Sequence, residues 1–127
     1  MNNRLVNAIH NTNQSNRKKV LTVCSAGLLR SPTAARVLAE KYDYNTRACG
    51  VVDDYALIVL DAVLISWADE IVFMDKGHYN MSIVYFEDYK DTIDKKATIL
   101  SIPDVYEYME PELVSAIERQ YEESNNS

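Results

Sequence analysis

Short apolar runs alternate with segments of helical periodicity along most of the chain. Three runs have the length and continuous apolar character of strands that are buried on both faces of a sheet: VLTVC (20–24), EIVFM (70–74) and ATILSI (97–102). A shorter run, TRACG (46–50), predicts a weaker strand. The three strong runs are therefore the clearest strands of the predicted sheet.

The segments between these strands predict helices. Apolar residues recur at helical spacing over 31–42, 55–68 and 110–123, and the stretch 75–91 predicts one helix followed by a loop. Ser31 is a plausible N-cap of the first helix, with Pro32 in its first turn. Because strand and helix alternate, we predict an α/β fold, a three-layer sandwich in which helices cover both faces of a parallel sheet.

Composition and charge narrow the class of protein. The 127 residues fit one domain, for which we predict a polar N-terminal tail over 1–18 and a folded domain over 19–127. The 13 basic and 19 acidic residues give a formal net charge of −6, which argues against a nucleic-acid partner. No apolar run is long enough to span a bilayer and the first residues lack a signal pattern, so we expect a soluble, cytoplasmic protein with no membrane partner.

A cysteine and an arginine bracket the loop that follows the first strand. Cys24 ends the strand and Arg30 follows after five intervening residues, just before the predicted helix. In such a loop the backbone N–H groups can turn inward and bind a phosphate, while the guanidinium of an arginine donates two parallel hydrogen bonds to phosphate oxygens. The N–H groups would come from five residues: Ser25, Ala26, Gly27, Leu28 and Leu29.

The same positive surroundings favour ionisation of Cys24. A helix N-terminus and a neighbouring arginine lower the pKa of a thiol from about 8.5 to about 3.5–7.5, so the thiolate becomes the resting nucleophile. The hydroxyl of Ser31 can donate a hydrogen bond to that sulfur. Alone, Cys24 is more simply a small buried residue at a strand end; its spacing from Arg30-Ser31-Pro32 favours a phosphate site instead.

The stretch VCSAGLLRSPTA (23–34) resembles the phosphate-binding loop of the low-molecular-weight protein tyrosine phosphatases. SWADEIVFMD (66–75) and SIPDVYEYMEPEL (101–113) resemble the third strand and the acid loop of a short branch of that family. The resemblance implies a four-stranded parallel sheet and hydrolysis of phosphomonoesters without a metal or other cofactor. It also implies roles for four residues: Cys24 as nucleophile, Arg30 as phosphate ligand, Ser31 as supporting hydroxyl and Asp104 as general acid.

Two departures from the family pattern fall within these motifs. Gly27 replaces an asparagine that holds a strained backbone, and glycine adopts such a conformation without help. The acid loop has Asp104-Val105-Tyr106 where an Asp-Pro-Tyr sequence is usual, with the proline displaced to Pro103. Tyr106 keeps the aromatic wall that would contact an aryl substrate.

The sequence contains more than one aspartate that could be the general acid. Asp104 is our first choice because it follows the last strong strand, although an aspartate after Pro103 is also ordinary in a turn. Asp75 is the rival because it also follows a strand, where it more simply organises its loop. Asp53 and Asp54 are interpreted as solvated loop residues.

Four other side chains have structural interpretations. Cys49 is expected to pack in the core, and Trp67 to cover the sheet. His78 is expected to face solvent, since neither it nor His10 has a spacing that suggests a metal ligand. We therefore predict no metal site.

The function that follows is that of a cysteine-dependent protein tyrosine phosphatase. Its partner would be a phosphotyrosine-containing protein or a small aryl phosphate, and the sequence does not indicate an oligomeric state. The nonenzymatic alternative is an inactive module that binds phosphorylated proteins. An arsenate reductase is a further alternative, but the chain has no cysteine after Cys49 for the disulfide relay.

Overall fold

The computed structural model describes residues 17–25, 29–51 and 58–125, and these ranges hold a four-stranded parallel sheet. The strand order is β2-β1-β3-β4, which confirms the predicted α/β fold. The strands have the following bounds: β1 Lys19–Cys24, β2 Asn45–Gly50, β3 Glu70–Phe73 and β4 Ala97–Ile99. The central pair, β1 and β3, consists of the two most apolar of the predicted strands.

Five α-helices connect and cover the strands within the described ranges. Their bounds are α1 Arg30–Tyr42, α2 Ala62–Trp67, α3 Lys76–Tyr85, α4 Lys90–Lys96 and α5 Pro111–Asn125, with a 3₁₀ turn at Glu87–Tyr89. None of these helices is both long and apolar enough to cross a bilayer.

Two apolar cores lie on opposite faces of the sheet, because successive side chains of a strand point to opposite sides. On β1, Val20 and Cys24 enter the core formed with α1 and α5, whereas Leu21 and Val23 enter the core formed with α2 and α4. Cys49 is completely buried in the second core, which confirms its predicted packing role, and burial raises the pKa of its thiol. Trp67 packs against the same core.

The predicted helix over 55–68 is wrong in extent. Within the part that the structure describes, Val59 pairs with Gly50 in an isolated parallel bridge, and the helix α2 begins only at Ala62. Asp61 explains the late start, because its carboxylate accepts a hydrogen bond from the Leu64 N–H at 2.8 Å and so caps the helix. The β-branched residues before it suit an extended backbone.

The loop predicted at the end of 75–91 is also wrong. The chain forms the 3₁₀ turn and then α4, whose charged sequence KDTIDKK has too few apolar positions to show helical periodicity. Ile93 is the one buried residue of α4, and it packs completely within the second core.

The boundary at residue 18 stays a prediction, because residues 1–16 lie outside the described ranges. Lys18, the last residue of the predicted tail, forms an ion pair with Glu70 at 2.8 Å. Glu70 is a buried carboxylate that also accepts a hydrogen bond from the Tyr121 hydroxyl at 2.8 Å.

Replacing Tyr121 with phenylalanine should lower the free energy of unfolding by about 1.5–3 kcal/mol, the range for a hydrogen bond to a charged group. The change removes one donor from the buried Glu70 carboxylate while leaving the ring in place. Urea unfolding measures the loss, with Tyr85→Phe as the control because the Tyr85 side chain is exposed. Equal losses in both variants would contradict the role given to the Glu70 contact.

Candidate active site

Cys24 ends β1 and lies against Ser31 in the first turn of α1. The thiol donates a hydrogen bond to Ser31 Oγ at 3.1 Å, and the Ser31 hydroxyl donates to the Cys49 backbone carbonyl at 3.2 Å. Both side chains are buried. A hydroxyl therefore lies where it can stabilise charge on the sulfur, next to the N-terminus of a helix.

The predicted N-cap role of Ser31 is wrong. The helix begins at Arg30, and Leu29 occupies the cap position without a side-chain hydrogen bond. The Ser31 hydroxyl cannot cap because it already contacts Cys24 and the Cys49 carbonyl. Leucine has no acceptor to offer the first N–H groups of α1, and such N–H groups bind anions.

Arg30 carries a buried guanidinium, only 4% exposed, at the carboxyl end of the sheet. Its Nη1 donates to the Ile102 carbonyl oxygen at 2.8 Å and lies 3.5 Å from Asp75 Oδ2. Its Nε lies 3.6 Å from Asp104 Oδ1. The structure thus brings both candidate acids to the same arginine, from the loops that follow β3 and β4.

The two carboxylates differ in what else they contact. Asp75 caps α3: its Oδ1 accepts hydrogen bonds from the N–H groups of Gly77 at 2.7 Å and His78 at 3.3 Å. The side chain of Asp104 is 65% exposed, and its ion pair with Arg30 is the contact that ties it to the site. The Asp75 carboxylate therefore also caps a helix, whereas the Asp104 side chain is mostly exposed to solvent.

The prediction that His78 faces solvent is wrong. Its side chain is buried, with Nε2 3.1 Å from Ser25 Oγ and 3.5 Å from Arg30 Nη2. The backbone N–H of Asp75 donates to Nδ1 at 3.2 Å. The signal in the sequence is the spacing Asp-x-x-His directly after a strand, which places a polar side chain at the third helical position, where it can bond back to the N-cap backbone.

The remaining predicted residues fall in three groups. Ser25 is half-buried and Leu29 is exposed, whereas Ala26, Gly27 and Leu28 lie outside the described residues, as do Asp53 and Asp54. Tyr106 is half-buried and packs against the core formed with α1 and α5. The Met109 N–H donates to Thr33 Oγ1 at 2.9 Å, which holds the segment after Asp104 against α1.

The described residues contain no cluster of metal-ligand side chains. Over 17–25, 29–51 and 58–125, no group of three or more His, Cys, Asp or Glu side chains is arranged to hold a metal ion.

Comparison with solved structures identifies proteins of the same fold. Wzb from Vibrio vulnificus, solved with benzylphosphonate, is 21% identical and matches with a TM-score of 0.63 over 87% of this chain and 96% of that one. The AmsI tyrosine phosphatase of Erwinia amylovora is 16% identical, with a TM-score of 0.64 over 86% and 89% of the two chains. The YwlE arginine phosphatase of Geobacillus stearothermophilus is 21% identical, with a TM-score of 0.60 over 86% and 94%.

These matches define the fold class. The chain has the fold of the low-molecular-weight protein tyrosine phosphatases, as the sequence resemblance implies. No protein-family model and no curated protein sequence matches the chain.

The stability of the protein should fall as the pH drops below 6.5, in part because of His78. Burial lowers the pKa of His78 below its usual 6.5, and Arg30 adds to this shift, while Asp75 and Asp104 oppose it. Below pH 6.5 the unfolded chain therefore binds a proton that the native histidine does not bind, so the free energy of unfolding decreases until the native ring is also protonated.

Urea unfolding between pH 7.5 and pH 5 measures this loss, with His78→Asn as the matched variant. The variant should lose less stability over that range. An equal loss in both proteins would mean that the native His78 ring binds its proton as readily as the unfolded one.

Proposed function

We propose that this chain is a cysteine-dependent phosphatase that hydrolyses phosphotyrosine and other aryl phosphomonoesters. One observation carries the proposal: the sulfur of Cys24 lies against Ser31 Oγ at the start of a helix whose first residue is the buried Arg30. Those three groups are a nucleophile, a hydroxyl to stabilise it and a bidentate phosphate ligand. The fold shared with known phosphatases supports the same conclusion.

The first chemical step transfers the phosphoryl group to Cys24. The phosphate would bind the backbone N–H groups of residues 25–29 and the Arg30 fork, which aims the phosphorus at the sulfur. The Cys24 thiol first releases its proton to solvent, and the thiolate then forms the sulfur–phosphorus bond as the bond to the aryl oxygen breaks. Asp104 gives its proton to that oxygen, so the alcohol leaves neutral.

The second step hydrolyses the cysteinyl phosphate. The Asp104 carboxylate accepts a proton from water, the water oxygen bonds to phosphorus, and the sulfur–phosphorus bond breaks. Inorganic phosphate leaves, and the Ser31 hydroxyl can turn to donate a hydrogen bond to the thiolate. The step needs no metal or cofactor.

The contacts of the two carboxylates support Asp104 rather than Asp75 as the acid. Protonation of Asp75 would weaken the two hydrogen bonds that its Oδ1 accepts at the start of α3. Asp104 contacts Arg30 through a side chain that is 65% exposed, so a leaving group can approach its carboxyl from solvent.

The partner in this proposal is a phosphorylated protein or a small aryl phosphate in the cytoplasm, where reducing conditions preserve a thiol nucleophile. Tyr106 would form an aromatic wall beside the substrate. Because the structural neighbours include an arginine phosphatase, phosphoarginine is the second substrate to assay.

Replacing Cys24 with serine should abolish turnover of para-nitrophenyl phosphate and leave phosphate binding intact, because an alcohol ionises poorly while the loop and Arg30 remain. Release of nitrophenol with a chelator present measures turnover, and calorimetry measures binding of inorganic phosphate. Cys49→Ala is the matched thiol control and should remain active. Near-normal hydrolysis by the Cys24 variant would refute the covalent mechanism, and phosphate binding without wild-type turnover would indicate a binding module.

Replacing Asp104 with asparagine should slow phosphorylation of the enzyme by phenyl phosphate about 10²–10⁴-fold, the usual contribution of a positioned acid. A fluorinated aryl phosphate should suffer far less, because its phenoxide leaves without a proton. The burst phase measures this step separately from hydrolysis of the intermediate. If Asp75→Asn slows phosphorylation by phenyl phosphate much more than by the fluorinated ester, and Asp104→Asn does not, the general acid is Asp75.

A further inference from the structure

We propose that His78 is a positioning residue of this site, and that its Nε2–H holds the Ser25 side chain beside the nucleophile. The inference rests on the proposed function and deepens it. Ser25 directly follows Cys24, and its Oγ lies 3.1 Å from His78 Nε2 across 53 positions of the sequence. The contact joins the loop after β1 to the first turn of α3.

The hydrogen bonds around the ring identify its tautomer. A backbone N–H is always a donor, so Nδ1, which lies 3.2 Å from the Asp75 nitrogen, must accept and cannot carry a proton. Arg30 Nη2 is also a donor and lies 3.5 Å from Nε2, but that distance is at the limit of a hydrogen bond, so the shorter contact from the Asp75 N–H decides. In the neutral ring the proton is therefore on Nε2. That N–H points to Ser25 Oγ, which accepts it.

The charges around His78 favour this neutral form. Arg30 Nη2 is 3.5 Å from Nε2, so a protonated ring would place a second positive charge against a buried guanidinium. Protonation would also place an N–H on Nδ1 against the Asp75 N–H. The Asp75 and Asp104 carboxylates oppose these effects, but burial of the ring outweighs them.

The Ser25 hydroxyl then has a defined direction. Because its oxygen accepts from His78, its own proton is directed to a different acceptor, for which the phosphate oxygens bound in the loop are suited. A ring fixed at both nitrogens thus orients a donor one residue from the nucleophile without adding charge to the site.

The two ring nitrogens of His78 have different roles, so a structural role in capping α3 can be distinguished from a role in positioning Ser25. The Nδ1 edge closes the capping box of α3 with the Asp75 backbone, whereas the Nε2 edge contacts Ser25. A substituted side chain that has a polar atom at the position of only one ring nitrogen keeps only one of the two interactions.

Two substitutions test the edges one at a time. His78→Asn supplies an acceptor near Nδ1 but does not reach Ser25, whereas His78→Gln places an amide N–H near Nε2. We expect His78→Asn to lower kcat for para-nitrophenyl phosphate about 10- to 100-fold, the scale of a small misplacement in an active site. His78→Gln should recover most of the wild-type turnover, although it loses the cap and some stability.

Ser25→Ala completes a double-mutant cycle. It should lower kcat by about the same factor as His78→Asn, and the double variant should be no worse than either single one, because both remove the same interaction. Tyr79→Phe is the control on the same helix: it removes the hydrogen bond from the Tyr79 hydroxyl to Asp94 and should leave kcat unchanged. Additive losses in the cycle, or full activity in His78→Asn with a loss only in His78→Gln, would overturn the inference.

A spectroscopic measurement keeps this test separate from the proposed function. The ¹⁵N chemical shifts of the His78 ring at neutral pH report which nitrogen carries the proton, and we expect Nε2, with a shift that changes in Ser25→Ala. A proton on Nδ1 would overturn the inference even if the protein is an active phosphatase. If the wild type hydrolyses no phosphate ester, the proposed function fails. The inference is then tested by the ¹⁵N shifts of the ring and by the affinity for inorganic phosphate, which should fall equally in Ser25→Ala and His78→Asn.

Discussion

A buried positive charge organises the carboxyl end of this sheet. The guanidinium of Arg30 is almost wholly removed from water, which is unfavourable unless acceptors surround it. The chain supplies them from two other loops: the Ile102 carbonyl and Asp104 after β4, and Asp75 after β3. Three segments that are distant in sequence are thereby held around one side chain.

The parallel sheet determines which segments can meet there. With the order β2-β1-β3-β4, the chain leaves the neighbouring strands β1 and β3 into helices that cover opposite faces of the sheet. Such divergence opens a crevice at the carboxyl ends of the strands, where α/β proteins bind ligands. The Ser25–His78 contact spans this crevice, and Cys24 lies at its floor, where β1 ends.

In the proposed mechanism, an incoming phosphate would meet an arginine that already has partners. Two carboxylates facing one guanidinium keep the unliganded arginine satisfied, so an incoming phosphate would have to compete with them for the Arg30 donors. Asp75 accepts hydrogen bonds from the start of α3, whereas the Asp104 side chain is 65% exposed. In the proposed mechanism, that difference assigns one carboxylate to structure and the other to proton transfer.

What the sequence determined by itself is local. Continuous apolar runs predicted β1, β3 and β4, and the spacing from Cys24 to Arg30 predicted a loop that joins a strand to a helix, because a short segment contains all of that information. Several features depended on tertiary contacts instead. Ser31 forms hydrogen bonds with the Cys24 thiol and the Cys49 carbonyl instead of capping α1. Ile93 is the one buried residue of α4. The helix predicted from residue 55 starts at Ala62, after a bridge between Val59 and Gly50 and the cap supplied by Asp61. His78 reaches Ser25 only because β1 and β3 are adjacent in the sheet, and no periodicity within one segment encodes which strands are neighbours.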